Sequence, residues 1–239
     1  MKVDILFCAW NRLQMTTQSW AWLMAHTNWD LVDRVVVYDD GSEDGTQEFL
    51  MQYDGTDVQS HGRRIPIEVR ISNFGSPPAI MNHYIATAQS QAFVKLDNDI
   101  ALPGGWLDKL RDVFLKHPEI DLLGMEAGMI AMQGRDGVTS EYGIERCTNI
   151  GGVGMMRTKG FKKRPGIPFR GRFGFTEWQV RYDVPRAWIV PDIDCPQLDR
   201  LPFEPWLSLT EEYIEKGWSR PWSKYDEKWM APYWGWMSE

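Results

Sequence analysis

Two carboxylates separated by one residue end the apolar run Phe93-Val94-Lys95-Leu96-Asp97-Asn98-Asp99-Ile100. In an extended backbone, residues two apart project to the same side, so Asp97 and Asp99 suit a shared grip on one cation. Mg²⁺ or Mn²⁺ held by one or two carboxylates keeps positions open for water and phosphate oxygens, which suits it to neutralising a departing diphosphate. The bland alternative is an Asx turn at a strand end, built by Asp97-Asn98 for local reasons. In the metal reading both acids lie at the surface of a cleft, and their removal leaves no buried partner unpaired.

A second acidic group, Asp39-Asp40-Gly41-Ser42, follows the β-branched run Val35-Val36-Val37-Tyr38, and Asn11 and Asn73 likewise follow apolar runs. The elements that must position them alternate. Val3 to Ala9 reads as a buried first strand, and Leu13 to about His26 as a helix through Met15, Trp20, Leu23 and Met24. Asp44 to Tyr53 is helical in pattern, Ile65 to Ile71 alternates as a strand, Pro77 to Gln89 is helical, and the run from Phe93 is the fourth strand. Gly104 to His117 is a strongly periodic helix with Trp106, Leu107, Leu110, Val113 and Phe114 on one face. Strands alternating with helices predict an α/β fold, a single Rossmann-like domain whose mostly parallel central sheet is flanked by helices. Ligands of such sheets sit beyond the carboxyl ends of the strands, where these acids and amides fall.

Beyond Pro118 the pattern loosens. Leu122 to Met132 is strand-like, residues 151–156 form a glycine-rich turn into a short strand, Ala187 to Val190 reads as a strand and Ser208 to Lys216 as a helix. From Arg157 to Arg172 seven cations and no acid share a segment rich in Gly and Pro, which predicts a loop that closes on an anion.

The chain has 239 residues, room for one substantial domain, with 43% apolar and 25% charged residues and a net charge of −7. That charge argues against broad non-specific nucleic-acid binding. No apolar stretch is long enough for a transmembrane segment and the N-terminus lacks a leader pattern, so a cytoplasmic location is expected. Cys8, Cys147 and Cys195 lack C-x-x-C spacing and suggest reduced thiols. Of thirteen Trp, six lie at or beyond Trp206, where they could stack on sugar rings, anchor at a membrane interface, or simply pack a core.

V-D-I-L-F-C-A-W-N-R, D-D-G-S-E-D-G-T, N-F-G followed by Met81-Asn82, L-D-N-D and G-G-W-L, in this order over about residues 3 to 110, closely resemble the N-terminal half of family 2 glycosyltransferases of the GT-A fold. The resemblance implies metal-dependent transfer, with inversion, of a sugar from a nucleoside diphosphate donor, a UDP-sugar by preference, to an acceptor hydroxyl. It also implies that Asp39 and Asp40 contact base and ribose, that Ala9, Asn11, Asn73, Asn82 and Asp97 line the nucleotide, and that Asp97 and Asp99 hold Mn²⁺ or Mg²⁺. Residues 1–117 become the nucleotide-sugar half, 118–200 the acceptor and catalytic half, and 201–239 a Trp-rich extension.

The C-terminal half departs from the family pattern. Gly174-Phe175-Thr176-Glu177-Trp178 stands where members carry an acidic pair, leaving Glu177 as general base, although it could also serve only to charge the first turn of a helix. No His follows His117, so Asp194, or Asp192, is the expected third metal ligand. The acceptor stays open: a phosphorylated lipid, a nucleic acid or a phosphosugar would suit the basic loop. Two alternatives come from other classes. A sugar-phosphate nucleotidyltransferase would need a glycine-rich loop after the first strand, where Trp10-Asn11-Arg12 stands; a non-catalytic Trp-rich carbohydrate-binding protein would leave the strand-end acids unexplained.

Overall fold

Four apolar strands lie parallel at the centre of the sheet, and their register puts their carboxyl ends level. The computed structural model describes residues 1–125, 140–141, 144–146, 150–162, 185–189, 195–201 and 204–219. The central strands are β1 (Val3–Ala9), β2 (Val32–Asp39), β4 (Arg63–Ile71) and β5 (Ala92–Asp97), in the order β4-β2-β1-β5. Ala9 pairs with Asp39, Asp39 with Ile71, and Cys8 with Asp97. Every residue of β1 is buried, as a strand covered on both faces requires.

Antiparallel strands extend both edges. β3 (Asp57–Ser60) pairs with β4 through a two-residue turn at His61-Gly62, both with positive φ, the combination a tight hairpin of right-twisted strands demands. On the other side come β9 (Val153–Arg157), β6 (Leu122–Gly124), β10 (Arg186–Ile189), β8 (Ile144–Arg146) and β7 (Ser140–Glu141). β6 and β10 are parallel to each other, and β9 runs against both β5 and β6.

Alternation along the strands splits the core. Val3, Ile5 and Phe7 face α1 (Leu13–His26), α2 (Thr46–Met51) and α4 (Trp106–Lys116), while Leu6 and Cys8 face α3 (Pro77–Thr87) and α5 (Thr158–Lys162). Trp20 of α1 meets the edge of Phe7 at 5.3 Å and lies 4.9 Å from Tyr53. On the opposite face Tyr84 packs against Phe93 at 4.9 Å and donates its hydroxyl to Asp4 at 2.6 Å. Asp4 Oδ2 also accepts from Arg34 at 2.8 Å, so two donors meet one oxygen of this buried carboxylate.

The later chain returns to the sheet. α6 (Trp206–Glu215) packs Tyr213 with Met15, Ala101, Leu198 and Leu201, and Trp206 and Trp218 lie against that cluster. These two tryptophans contribute to packing; the other four of the terminal group lie outside the described residues. Arg157, Lys159 and Lys162, read from sequence as part of a loose basic loop, belong to β9 and α5. Arg157 donates to the carbonyls of Ile120 and Phe114 and stacks over the Phe114 ring at 4.0 Å, and Lys162 donates to Ala88. The remaining expected loop cations, from Lys163 to Arg172, lie outside the described residues. Cys8 and Cys195 are buried, burial pushing the Cys8 thiol up to about 12. No helix among the described residues is long and apolar enough to cross a membrane.

The strand-end loops are tied to one another by acid side chains acting on backbone. Asp44 accepts from Leu13 N at 2.8 Å and from Thr46 N at 3.1 Å, so one carboxylate serves the first residue of both α1 and α2. A helix start leaves its first N–H groups without intrahelical partners, and losing a cap costs roughly 0.5–2 kcal/mol. Asp44→Ala is therefore expected to lower stability by about 1–2 kcal/mol in urea denaturation, and an unchanged midpoint would contradict the double cap.

Candidate active site at the carboxyl edge of the sheet

Each loop at this edge closes a hydrogen-bonding account of its own. Asp39 is fully buried: its Oδ1 accepts from Gly41 N at 3.1 Å and Ser42 N at 2.9 Å, and its Oδ2 from the Ser42 hydroxyl at 2.6 Å. Burial raises its pKa despite these donors. Ser42 Oγ in turn accepts from Asn11 N at 2.7 Å, and Asn11 Oδ1 accepts from Glu43 N at 2.8 Å. The acidic loop and the loop after β1 are thus laced together.

Asp40 ties in the loop after β4. Its Oδ1 accepts from Phe74 N at 2.6 Å, Gly75 N at 3.2 Å and Ser72 Oγ at 3.3 Å. Among the described residues no donor is recorded for its Oδ2. Asn73 is exposed and lies against Gly41, whose φ of 79° suits glycine. Asn82 sits on α3, half-buried. Phe74 is 42% exposed, 5.3 Å from the His83 ring, and Tyr38 donates to or accepts from His83 at 2.7 Å.

The central acids differ from each other. β5 ends at Asp97, and Asp99 lies in the turn beyond it, so the simple two-apart geometry of a strand does not apply. The Asp97 side chain is one quarter exposed and pairs with Lys95 at 2.5 Å, a lysine only 1% exposed inside β5. Burial raises the Asp97 pKa, with Lys95 pulling against it and Asp99 adding to it. Asp97 N donates to Gly152 O at 3.0 Å, and a Cβ on Gly152 would come within 3.2 Å of Asp97 Oδ2 and 2.5 Å of Ile100 Cδ1. β9 can approach this edge only with glycine there.

Asp99 is buried, at 3% exposure, and Arg12 is why a charge can sit there. Arg12 Nη1 donates to Asp99 Oδ2 at 2.8 Å and lies 3.6 Å from Asp199 Oδ2; Nη2 donates to Asn98 Oδ1 at 2.6 Å. Asn98 Nδ2 donates to Asn11 O at 2.8 Å and Thr16 Oγ1 at 2.7 Å, and Leu198 N donates to Asp99 O at 2.6 Å. Burial works against the Arg12 charge, but Asp99 and Asp199 outweigh it and raise its pKa. The backbone that delivers this side chain is itself unusual, since Asn11 and Arg12 have φ of 52° and 66°. Asn tolerates that region; for Arg it is a strained choice held by its surroundings.

Arg12, Lys95, Asn98 and Asp199 belong to this candidate cluster, and sequence reasoning missed them. Two signals were there: a lysine inside an apolar strand next to two acids, and an arginine directly after the first strand. Glu177, the expected base, and Asp194, the expected third metal ligand, lie outside the described residues, as do Asp183 and Asp192.

A divalent cation can be tested against these side chains. Asp99 Oδ1 is buried with no hydrogen-bond donor, an arrangement that costs free energy unless something positive meets it. Three carboxylates, Asp97, Asp99 and Asp199, gather at this edge with Lys95 and Arg12. Both features suit a cation, with Asp97 and Asp99 as its holders. Among the described residues no group of three or more His, Cys, Asp or Glu side chains forms a ready metal cage.

Acids at the carboxyl ends of a mostly parallel sheet of this order place the candidate site of an α/β fold of the GT-A kind. Residues 4–164 match the family described as Glycosyl transferase family 2, and the chain belongs to that family, which makes it a glycosyltransferase. The solved structure of Staphylococcus aureus TarS residues 1–349 is similar over 90% of this chain and 72% of that one, with 16% identity and a TM-score of 0.58. The mannosyltransferase PcManGT from Pyrobaculum calidifontis, in complex with GDP-Man and Mn²⁺, is similar over 82% of this chain and 56% of that one (12% identity, TM-score 0.61). GalNAc-T7 with UDP, GalNAc and Mn²⁺ is similar over 90% of this chain and 48% of that one (12% identity, TM-score 0.58). At these identities the likeness establishes the fold. Comparison with curated proteins gives no match.

The sequence expectation that both acids lie at the surface of a cleft with no buried partner is corrected: Asp97 pairs with Lys95, buried within β5, and Asp99, itself buried, pairs with Arg12. Breaking a buried pair from one side costs about 3–5 kcal/mol, and partial exposure reduces the figure through solvent screening. Asp99→Ala is expected to lose stability in that range and Asp97→Ala less. Urea denaturation of the two variants checks the order; equal, near-wild-type midpoints would contradict the pairing.

Proposed function

We propose that this glycosyltransferase moves a sugar from a nucleoside diphosphate donor, a UDP-sugar by preference, to an acceptor hydroxyl, with inversion and with a divalent cation. The observation that carries this reading is the level row of strand ends, which brings Asp39 and Asp40 to the same edge as Asp97 and Asp99 in a chain of this family. The TarS fragment has been solved with UDP-GlcNAc and with UDP, and the mannosyltransferase with GDP-Man, which supports a nucleotide-sugar donor in the same fold.

On this reading the edge divides its labour. Asp40 Oδ2 accepts from the base or ribose, while Asp39, spent on its own turn, shapes the floor on which they rest. Ala9, Asn11, Asn73 and Asn82 line the nucleotide, Asn73 from the exposed side. Asp97 and Asp99 hold Mn²⁺ or Mg²⁺, with Asp194 as a third ligand. Bound there, the metal would offset the charge that grows on the diphosphate as it leaves. Lys95 and Arg12 hold the two carboxylates in place by ion pairing. Glu177 takes the proton from the acceptor hydroxyl as its oxygen attacks the anomeric carbon and the diphosphate departs from the opposite face. An anionic acceptor suits the cations from Lys163 to Arg172.

Two measurements check this. UDP with Mn²⁺ should raise the melting temperature more than GDP, CDP or dTDP does, a ligand at 100 times its Kd contributing about 2.7 kcal/mol; no shift with any of the four would contradict a nucleotide site. Glu177→Gln keeps size and hydrogen bonding but cannot accept the proton, so transfer should fall by roughly 10² to 10⁴ while UDP and Mn²⁺ binding persist. Near-normal transfer by this variant would move the base to Asp183, Asp192 or Asp194.

A further inference from the structure

We propose that Arg12 is the positioning residue of the cation site: it holds Asp99 so that only Oδ1 is offered to a divalent ion, and the same guanidinium faces Asp199 of the 195–201 segment. This rests on the proposed metal-dependent function and deepens it. The geometry on which it stands is the fork of Arg12 across three chain segments. One guanidinium nitrogen is engaged with Asp99 Oδ2 and faces Asp199; the other is engaged with Asn98 Oδ1. Asp99 Oδ2 is therefore already occupied, and Oδ1, buried without a donor, is the oxygen left over.

The backbone reinforces the arrangement. Arg12 is held in the left-handed region, where an L side chain is strained, and the neighbouring Asn11 is tied to Ser42 and Glu43 of the acidic loop. Asn98, gripped by Arg12 from one side, is gripped by Asn11 O and Thr16 Oγ1 from the other. Asp99 O receives Leu198 N and Pro196 O receives Ala101 N, so the segment that brings Asp199 to Arg12 is stitched to the turn carrying Asp99. A planar fork of donors can satisfy Asp99 and Asn98 together with fixed relative orientation; a lysine ammonium keeps the charge but loses that span. Partners that orient a metal ligand without touching the metal are typically worth 10- to 100-fold in metal affinity.

The test is calorimetric titration of Mn²⁺ into the full chain with saturating UDP, comparing wild type with Arg12→Lys and Arg12→Gln, alongside UDP titration without metal. Arg12→Lys is expected to raise the Mn²⁺ Kd by roughly 10- to 100-fold while metal-free UDP affinity stays unchanged. Arg12→Gln, which takes the guanidinium from the buried Asp99, is the harsher change; if it does not fold, the lysine variant decides alone. An Mn²⁺ Kd within twofold of wild type in Arg12→Lys would overturn the proposal and leave Arg12 a structural ion pair. Tighter Mn²⁺ binding would also overturn it, because Arg12 would then be competing with the cation for Asp99. Wild type that binds UDP but no Mn²⁺ would overturn both this proposal and the metal-dependent function, which separates the two failures.

Discussion

Buried charge of opposite sign, met at short range, is the constraint on which the rest of this structure depends. Asp97 and Asp99 can sit at the end of an apolar strand because Lys95 rises within that strand and Arg12 reaches over from the loop after β1. Taking such charges from water costs several kcal/mol each, and the cost is met only if the geometry is good and the remaining polar atoms are answered. Here they are nearly all answered. Among the exceptions in the described residues are Asp99 Oδ1 and Arg12 Nε, both beside the end of β5.

The same logic explains the acidic loop after β2. Its first Asp fastens its own turn, its second fastens the loop after β4, and Asp44 caps two helices. The residues that look most like ligand contacts in the sequence are therefore largely the scaffold of the site. A rigid scaffold is what positions a reacting pair well, since misplacement of a few tenths of an ångström at a site is costly in rate. Within the acidic loop, Asp40 combines a fastening oxygen with one that no donor among the described residues meets.

The central fold was legible because it is periodic. β1 and α1 run from Val3 to Ala9 and from Leu13 to His26, as the apolar pattern has them, and α3 and α4 differ from expectation only at their ends. β3 was missed although His61-Gly62 is a hairpin signal, because its four residues D-V-Q-S carry little apolar pattern. Beyond β6 the strands are short and added out of order, so they leave almost no periodicity to read. At the site, acids could be placed at strand ends from sequence alone, but their partners could not. Arg12 and Asp99 are brought together only by the parallel pairing of β1 with β5, a contact across 87 positions that no local pattern encodes.

The most direct test of the account is anomalous diffraction at the manganese edge from crystals grown with UDP and Mn²⁺. The account predicts one manganese peak within about 2–2.5 Å of a carboxylate oxygen of Asp97 and of Asp99, with the uridine held at the ends of β1, β2 and β4. UDP bound at that edge with no manganese near either aspartate, or with manganese held by other side chains, would contradict it.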